Sequence, residues 1–193
     1  MSKLSGIRVV DLSLFLPGPM MTSMLADHGA EIIKIEPPGG DPARQMEPFE
    51  EGQSVWFRNI NRGKQSVVLD LKQKDNLQKL YRLVEESDIF VEAFRPGVAN
   101  RLEIDYETLS AINPRIIYCS ISAFGQDGPL AHHPAHDLAV EAFAGFMSVN
   151  DKGDGEPVVP AFPAADASAS LVALSGILMA LIGRERKGIG DYL

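Results

Sequence analysis

The chain carries one cysteine and one tryptophan in 193 residues. A single thiol excludes an intrachain disulfide framework and fits a reducing compartment. That thiol, Cys119, sits in the apolar run 115–121 and reads as core filler rather than as a nucleophile. Positive charge is scarce as well: 18 Lys+Arg stand against 26 Asp+Glu, a net charge of -8. Nucleic acid and anionic membranes call for a basic face, so neither is expected as a partner. An anionic ligand would need a local Arg/Lys cluster working against the global field. Long apolar runs are missing too. Residues 171–182 form the longest, interrupted by Ser175 and Gly176 and too short to cross a bilayer. The N-terminus shows no signal-peptide pattern, so a cytoplasmic location is expected.

With 45% hydrophobic and 23% charged residues, what remains is the balance of an ordinary globular domain. Strands are read at 7–12, 31–35, 66–71, 89–94 and 115–121, from apolar or alternating runs bounded by Gly and Pro. Helices are read at 20–28, 75–86, 106–112, 137–147 and 171–182. Residues 39–60 read as a long functional loop and 150–163 as a Gly/Pro-rich connection. Strands alternating with helices predict an α/β fold: a doubly wound, mostly parallel Rossmann-like sheet with helices on both faces. Residues 188–193 look like a turn into a new strand, so 1–193 is read as the N-terminal portion of something longer or as a shortened relative.

Asp166 stands directly before the last apolar helix. A carboxylate there meets free backbone N–H groups and the positive end of the helix dipole, which hold it ionised. It is either a plain N-cap or a nucleophile or base. His132, His133 and His136 suggest a metal, but Pro134 breaks their spacing and no acidic ligand pattern supports one, so no metal is expected. His136 beside Asp137 at a helix start is either a base or a surface residue. The turn Pro17-Gly18-Pro19 follows the first strand, where α/β folds bind ligands, but lacks the G-x-G-x-x-G pattern of dinucleotide sites. Arg62, Lys64, Lys72, Arg95 and Arg101 lie near predicted strand ends. They are scattered surface charge, or they hold phosphate.

Several stretches arrive in a recognisable order. They are residues 4–12, the Pro17-Gly18-Pro19 turn, residues 25–36, Asn61-Arg62-Gly63-Lys64-Gln65-Ser66, Leu69-Asp70-Leu71-Lys72, Phe94-Arg95-Pro96-Gly97-Val98 and Phe124-Gly125-Gln126-Asp127-Gly128-Pro129. As a set, and over essentially the whole chain, they resemble the start of the family III CoA-transferases. That group includes formyl-CoA transferase, carnitine CoA-transferases and α-methylacyl-CoA racemase. The resemblance implies an acyl-CoA substrate, a carboxylic acid acceptor, and coenzyme A as part of the substrate with no tightly bound cofactor. Asp166 falls where the family's catalytic aspartate is found, attacking the thioester to give a mixed anhydride and free CoA thiolate.

In the racemase branch the aspartate pairs with a histidine, here His136, for proton transfer at the α-carbon. The glycine run that usually follows the racemase aspartate is replaced by Ala167-Ser168-Ala169-Ser170, which weakens that branch. Phe15, Leu16, Leu69, Lys72 and Arg101 match family positions that contact CoA. Pro37 stands where a basic residue often follows the second strand, and Arg62, Lys64 and Arg95 belong to motifs near the site. The resemblance also implies an interlocked homodimer in the full-length form, with a small domain and a C-terminal return segment that these residues do not contain. A non-catalytic CoA-binding fragment is the reading from a different class.

Overall fold

A computed structural model of the chain describes residues 2–149, 153 and 155–193. Its centre is β1, Arg8–Asp11, whose Val9, Val10 and Asp11 are buried. β1 pairs in parallel with β2, Glu31–Glu36, on one side and with β6, Ile89–Glu92, on the other. β5, Lys64–Val68, extends the sheet beyond β2. β7, Ile117–Ser120, and the short β8, Asp191–Tyr192, extend it beyond β6. The order is β5-β2-β1-β6-β7-β8, parallel throughout.

The period of two in each strand builds two cores. Val9, Val91, Ile117 and Cys119 point to one face, where Met21 and Leu25 of α1, Pro17–Asp27, pack with Ile177 and Ala180 of α8, Ala164–Lys187. Val10, Phe90 and Tyr118 point to the other. There they meet Leu77, Leu80 and Val84 of α3, Lys74–Glu85, and Leu109 of α5, Tyr106–Ile112. Leu77, Leu80 and Val84 recur at helical spacing, and each fully buried side chain of this size stabilises by about 1.5–3 kcal/mol. Helices thus cover both faces, as the alternation of elements predicts. Winding goes from β1 outward to β5, then restarts at β6 on the far side of β1. The reversal opens a crevice at the carboxyl ends of β1 and β6.

Four expectations are corrected. The strand read at 66–71 is shifted to Lys64–Val68, because its pairing with β2 starts at Ile32↔Lys64. The stretch 39–60 is structured: a 3-10 turn Pro42–Gln45, a hairpin of β3, Phe49–Glu50, with β4, Gln53–Ser54, and α2, Val55–Ile60. Ser54 caps α2, its Oγ accepting from the Phe57 N–H at 3.1 Å. The helix read at 137–147 is two, α6, Asp137–Phe143, and α7, Phe146–Val149, parted by Gly145 at φ +74°. The last helix starts at Ala164 rather than at residue 171.

Its 24 residues make α8 long and apolar enough to cross a membrane by length and composition. Here α8 lies on the sheet, with Arg184 ion-paired to Asp88 at 2.8 Å. A short α4, Val98–Arg101, went unanticipated. The predicted connection 150–163 lies partly outside the described residues.

Candidate active site

The turn after β1 rests on buried charge. Asp11 accepts from the Ser13 N–H at 2.9 Å, from Thr22 Oγ1 at 2.6 Å and from Lys64 Nζ at 3.1 Å. Burial pushes the Asp11 carboxyl up, but Lys64, Lys34 and the two hydroxyls outweigh it and hold it below the usual range. Burial draws Lys64 down to about 8, with Asp11 opposing. Lys34 Nζ donates to the Ser13 carbonyl at 2.7 Å and lies 2.9 Å from Asp41 Oδ2. Farther along β2, burial raises Glu36, but hydrogen bonds from Arg44, Ser66 and the Asp41 N–H bring it down to about 2. The network holds the turn close. A Cβ on Gly18 would fall 2.1 Å from Ser13 Cβ, so only glycine allows this approach. Phe15 takes a left-handed φ of 61°, a conformation that costs a non-glycine residue about 1 kcal/mol or more. Its ring meets His136 edge-on, centroids 6.0 Å apart.

Across the crevice lies the mouth of α8. Asp166 is the third residue of that helix, behind the N-cap Pro163, and so is not the N-cap. Its own N–H donates to Asp137 Oδ1 at 2.9 Å, and the Ala164 N–H donates to Glu141 Oε1 at 2.7 Å. The carboxylate of Asp166 makes no hydrogen bond among the described residues. The expectation of a carboxylate held ionised by the helix dipole is only part of its environment. Burial pushes its carboxyl up to about 6, with Asp137 and Glu141 adding and His136 opposing. It stays mostly ionised at pH 7, yet its proton affinity is well suited to exchange.

Two cavities meet here. A cleft of ≈ 340 Å³ is lined by Phe15, Phe94, Arg95, His136 and Asp166 among others. A narrower, almost wholly apolar slot of ≈ 170 Å³ lies at the ends of β1, β2 and β5, between Pro37, Pro38, Leu69 and Leu102, with Lys72 on its wall. Leu14 and Phe94 line both, so the two cavities are neighbours.

Of the residues singled out in the sequence, Phe15, His136 and Asp166 share the cleft, and Leu69 and Lys72 the slot. Leu16 is buried beneath the turn against Ala43 and Ile60. Arg101, exposed at the end of α4, lines neither cavity but adjoins the slot residue Leu102. Arg62 is ion-paired with Asp27 on the surface, and Lys64 belongs to the buried network. Arg95 lines the cleft with no ion pair among the described residues. Cys119 is buried and its thiol is pushed up to about 12 by burial, the state of an unreactive core residue. Among the described residues no group of three His, Cys, Asp or Glu side chains could hold a metal ion. Glu141 was not foreseen, and Asp137 and Phe94 were noted in the sequence without a role of their own. Their roles depend on which elements pack together, and local spacing carries no signal of that.

The sequence profile of CoA-transferase family III matches residues 4–193. The chain belongs to CoA-transferase family III. Among its relatives, acetyl-CoA:oxalate CoA-transferase of Acetobacter aceti is 45% identical over 97% of this chain and 49% of that protein. Succinyl-CoA:glutarate CoA-transferase of Mus musculus is 37% identical over 100% of this chain and 45% of that one. A crystal structure of a CAIB/BAIF family protein from Brucella suis superposes with a TM-score of 0.95 at 36% identity. It covers 100% of this chain and 52% of that one. This chain therefore spans about half the length of the curated relatives it matches.

Proposed function

We propose that the full-length protein moves coenzyme A between carboxylic acids, with Asp166 as the attacking carboxylate. One observation carries this reading: a carboxylate with no hydrogen bond among the described residues lines a cleft that shares Leu14 and Phe94 with a neighbouring apolar slot. The slot suits the adenine ring and the cleft the thioester. Phe15, Leu69 and Lys72 would contact CoA directly. Leu16 would support the turn from beneath, and Arg101 would reach phosphate at the outer edge. The carboxylate oxygen attacks the thioester carbon and the C–S bond breaks, giving a mixed anhydride and CoA thiolate. The thiolate attacks the aspartyl carbonyl and releases the donor acid. The acceptor carboxylate then attacks this aspartyl thioester, forming a second anhydride, and the returning thiolate takes the acceptor's acyl group and frees Asp166. No net proton is consumed.

The named relatives act on oxalate, succinate and glutarate, so a small dicarboxylic acid is proposed for this protein, with Arg95 available for its free carboxylate. Cytoplasmic location and a homodimer are part of the same proposal. A second reading is favoured by His136 sharing the cleft with a carboxyl raised to about 6: racemase-type proton transfer at the α-carbon. Incubating the full-length protein with acyl-CoA in deuterated water separates the two. A new thioester only when a carboxylate acceptor is present supports the transferase; α-deuteration without an acceptor supports the racemase. If the 193-residue chain alone binds CoA without turnover, it is a binding fragment whose chemistry needs the remaining half of the family's length.

A further inference from the structure

In a capping box, a Glu or Gln in the third position of a helix folds back to the N-cap N–H. Around Asp166 that route is closed at the N-cap, and two of the next three N–H groups are already taken. Pro163, the N-cap, has no N–H to offer. The Ala164 N–H is taken by Glu141 and the Asp166 N–H by Asp137. Both acceptors project from α6 one turn apart, so a single helix face supplies both caps. Glu141 is 3% exposed, an unusual depth for a carboxylate whose one hydrogen bond among the described residues comes from a backbone N–H.

We propose that Asp137 and Glu141 are positioning residues: α6 caps α8 from outside, leaving the Asp166 carboxylate free to face the acyl carbon. This rests on the reading of Asp166 as the reacting group. The charges facing Asp166 are Asp137, Glu141 and His136 from α6 and its cap, with His133 and Arg95 from the cleft loops. α1, packed alongside, presents no acidic residue in its first turn. The two α6 carboxylates offset the positive end of the α8 dipole, which agrees with the raised proton affinity of Asp166.

The test uses the full-length protein. Glu141→Gln keeps an oxygen for the Ala164 N–H and removes the charge, whereas Glu141→Ala removes both. The Asp166 carboxyl is titrated by carbon-13 NMR, assigned by its loss in Asp166→Asn. Expected for Glu141→Gln is a midpoint lowered by roughly 0.3–1 pH unit, with the ascending limb of kcat against pH moving alike. Glu141→Ala is expected to lower kcat about tenfold or more at an unchanged KM for acyl-CoA. An unchanged midpoint in Glu141→Gln overturns the inference, and that variant decides the matter alone if Glu141→Ala does not fold. Retained CoA transfer in Asp166→Asn would instead sink the proposed function, while the titration would still judge the positioning.

Discussion

Asp166 is costly to the fold that holds it. Its carboxyl titrates at about 6 in the folded chain against an ordinary 3.8. The folded state therefore binds its proton more tightly than the unfolded state does. The associated stability is complete below about pH 4 and is lost as pH rises through about 6. With the partial exposure discounted, Asp166→Asn should stabilise the protein by roughly 1–2 kcal/mol at pH 8 and hardly at all at pH 4. Thermal melts at the two pH values check this, and equal shifts at both would contradict the raised carboxyl. The candidate itself was legible in the sequence, because a lone acid before an apolar helix and a family resemblance converge on one position. Its partners Asp137 and Glu141 were not. They act through a contact between two helices, and 137–147 read as one continuous helix hides which carboxylates meet α8.

The element that aims the site is the turn from β1 into α1, and two substitutions probe it by different physics. Gly18→Ala would drive a methyl into Ser13, and a cost of about 1–3 kcal/mol is expected from overpacking. Asp11→Ala would leave Lys64 buried without its carboxylate, with an expected loss of about 3–5 kcal/mol. Urea titration measures both, and a change under about 0.5 kcal/mol in either would show that the turn does not rest on that contact. Strand identities were readable here because β1, β6 and β7 centre on short buried apolar stretches, Val9-Val10, Ile89-Phe90-Val91 and Ile117-Tyr118-Cys119, the mark of buried parallel strands. The start of α8 was not. Residues 164–170 hold alanine, serine and one acid, so no apolar period shows where the helix begins, although alanine favours it.

At the scale of the molecule, the outer side of α8 is apolar and open. Val172 is 72% exposed and Met179 67%, with Phe143 and Phe162 nearby in exposure at 68% and 62%. The homodimer proposed above would cover such surface. The full-length form is expected to sediment as a homodimer, and Val172→Glu with Met179→Glu is expected to weaken it. An unaltered dimer in that variant would place the interface elsewhere. The α/β class and double winding were legible from alternation alone, whereas this open face was not, since hydrophobicity in a sequence does not say which side is left uncovered.

The most direct measurement is chemical trapping of the reacting carboxylate. The full-length protein is incubated with an acyl-CoA, quenched with hydroxylamine, and digested for mass spectrometry. A hydroxamate on the peptide carrying Asp166, dependent on acyl-CoA and absent from an inactive Asp166→Asn variant, is the expected result. A hydroxamate on another carboxylate, or undiminished transfer by Asp166→Asn, would contradict it.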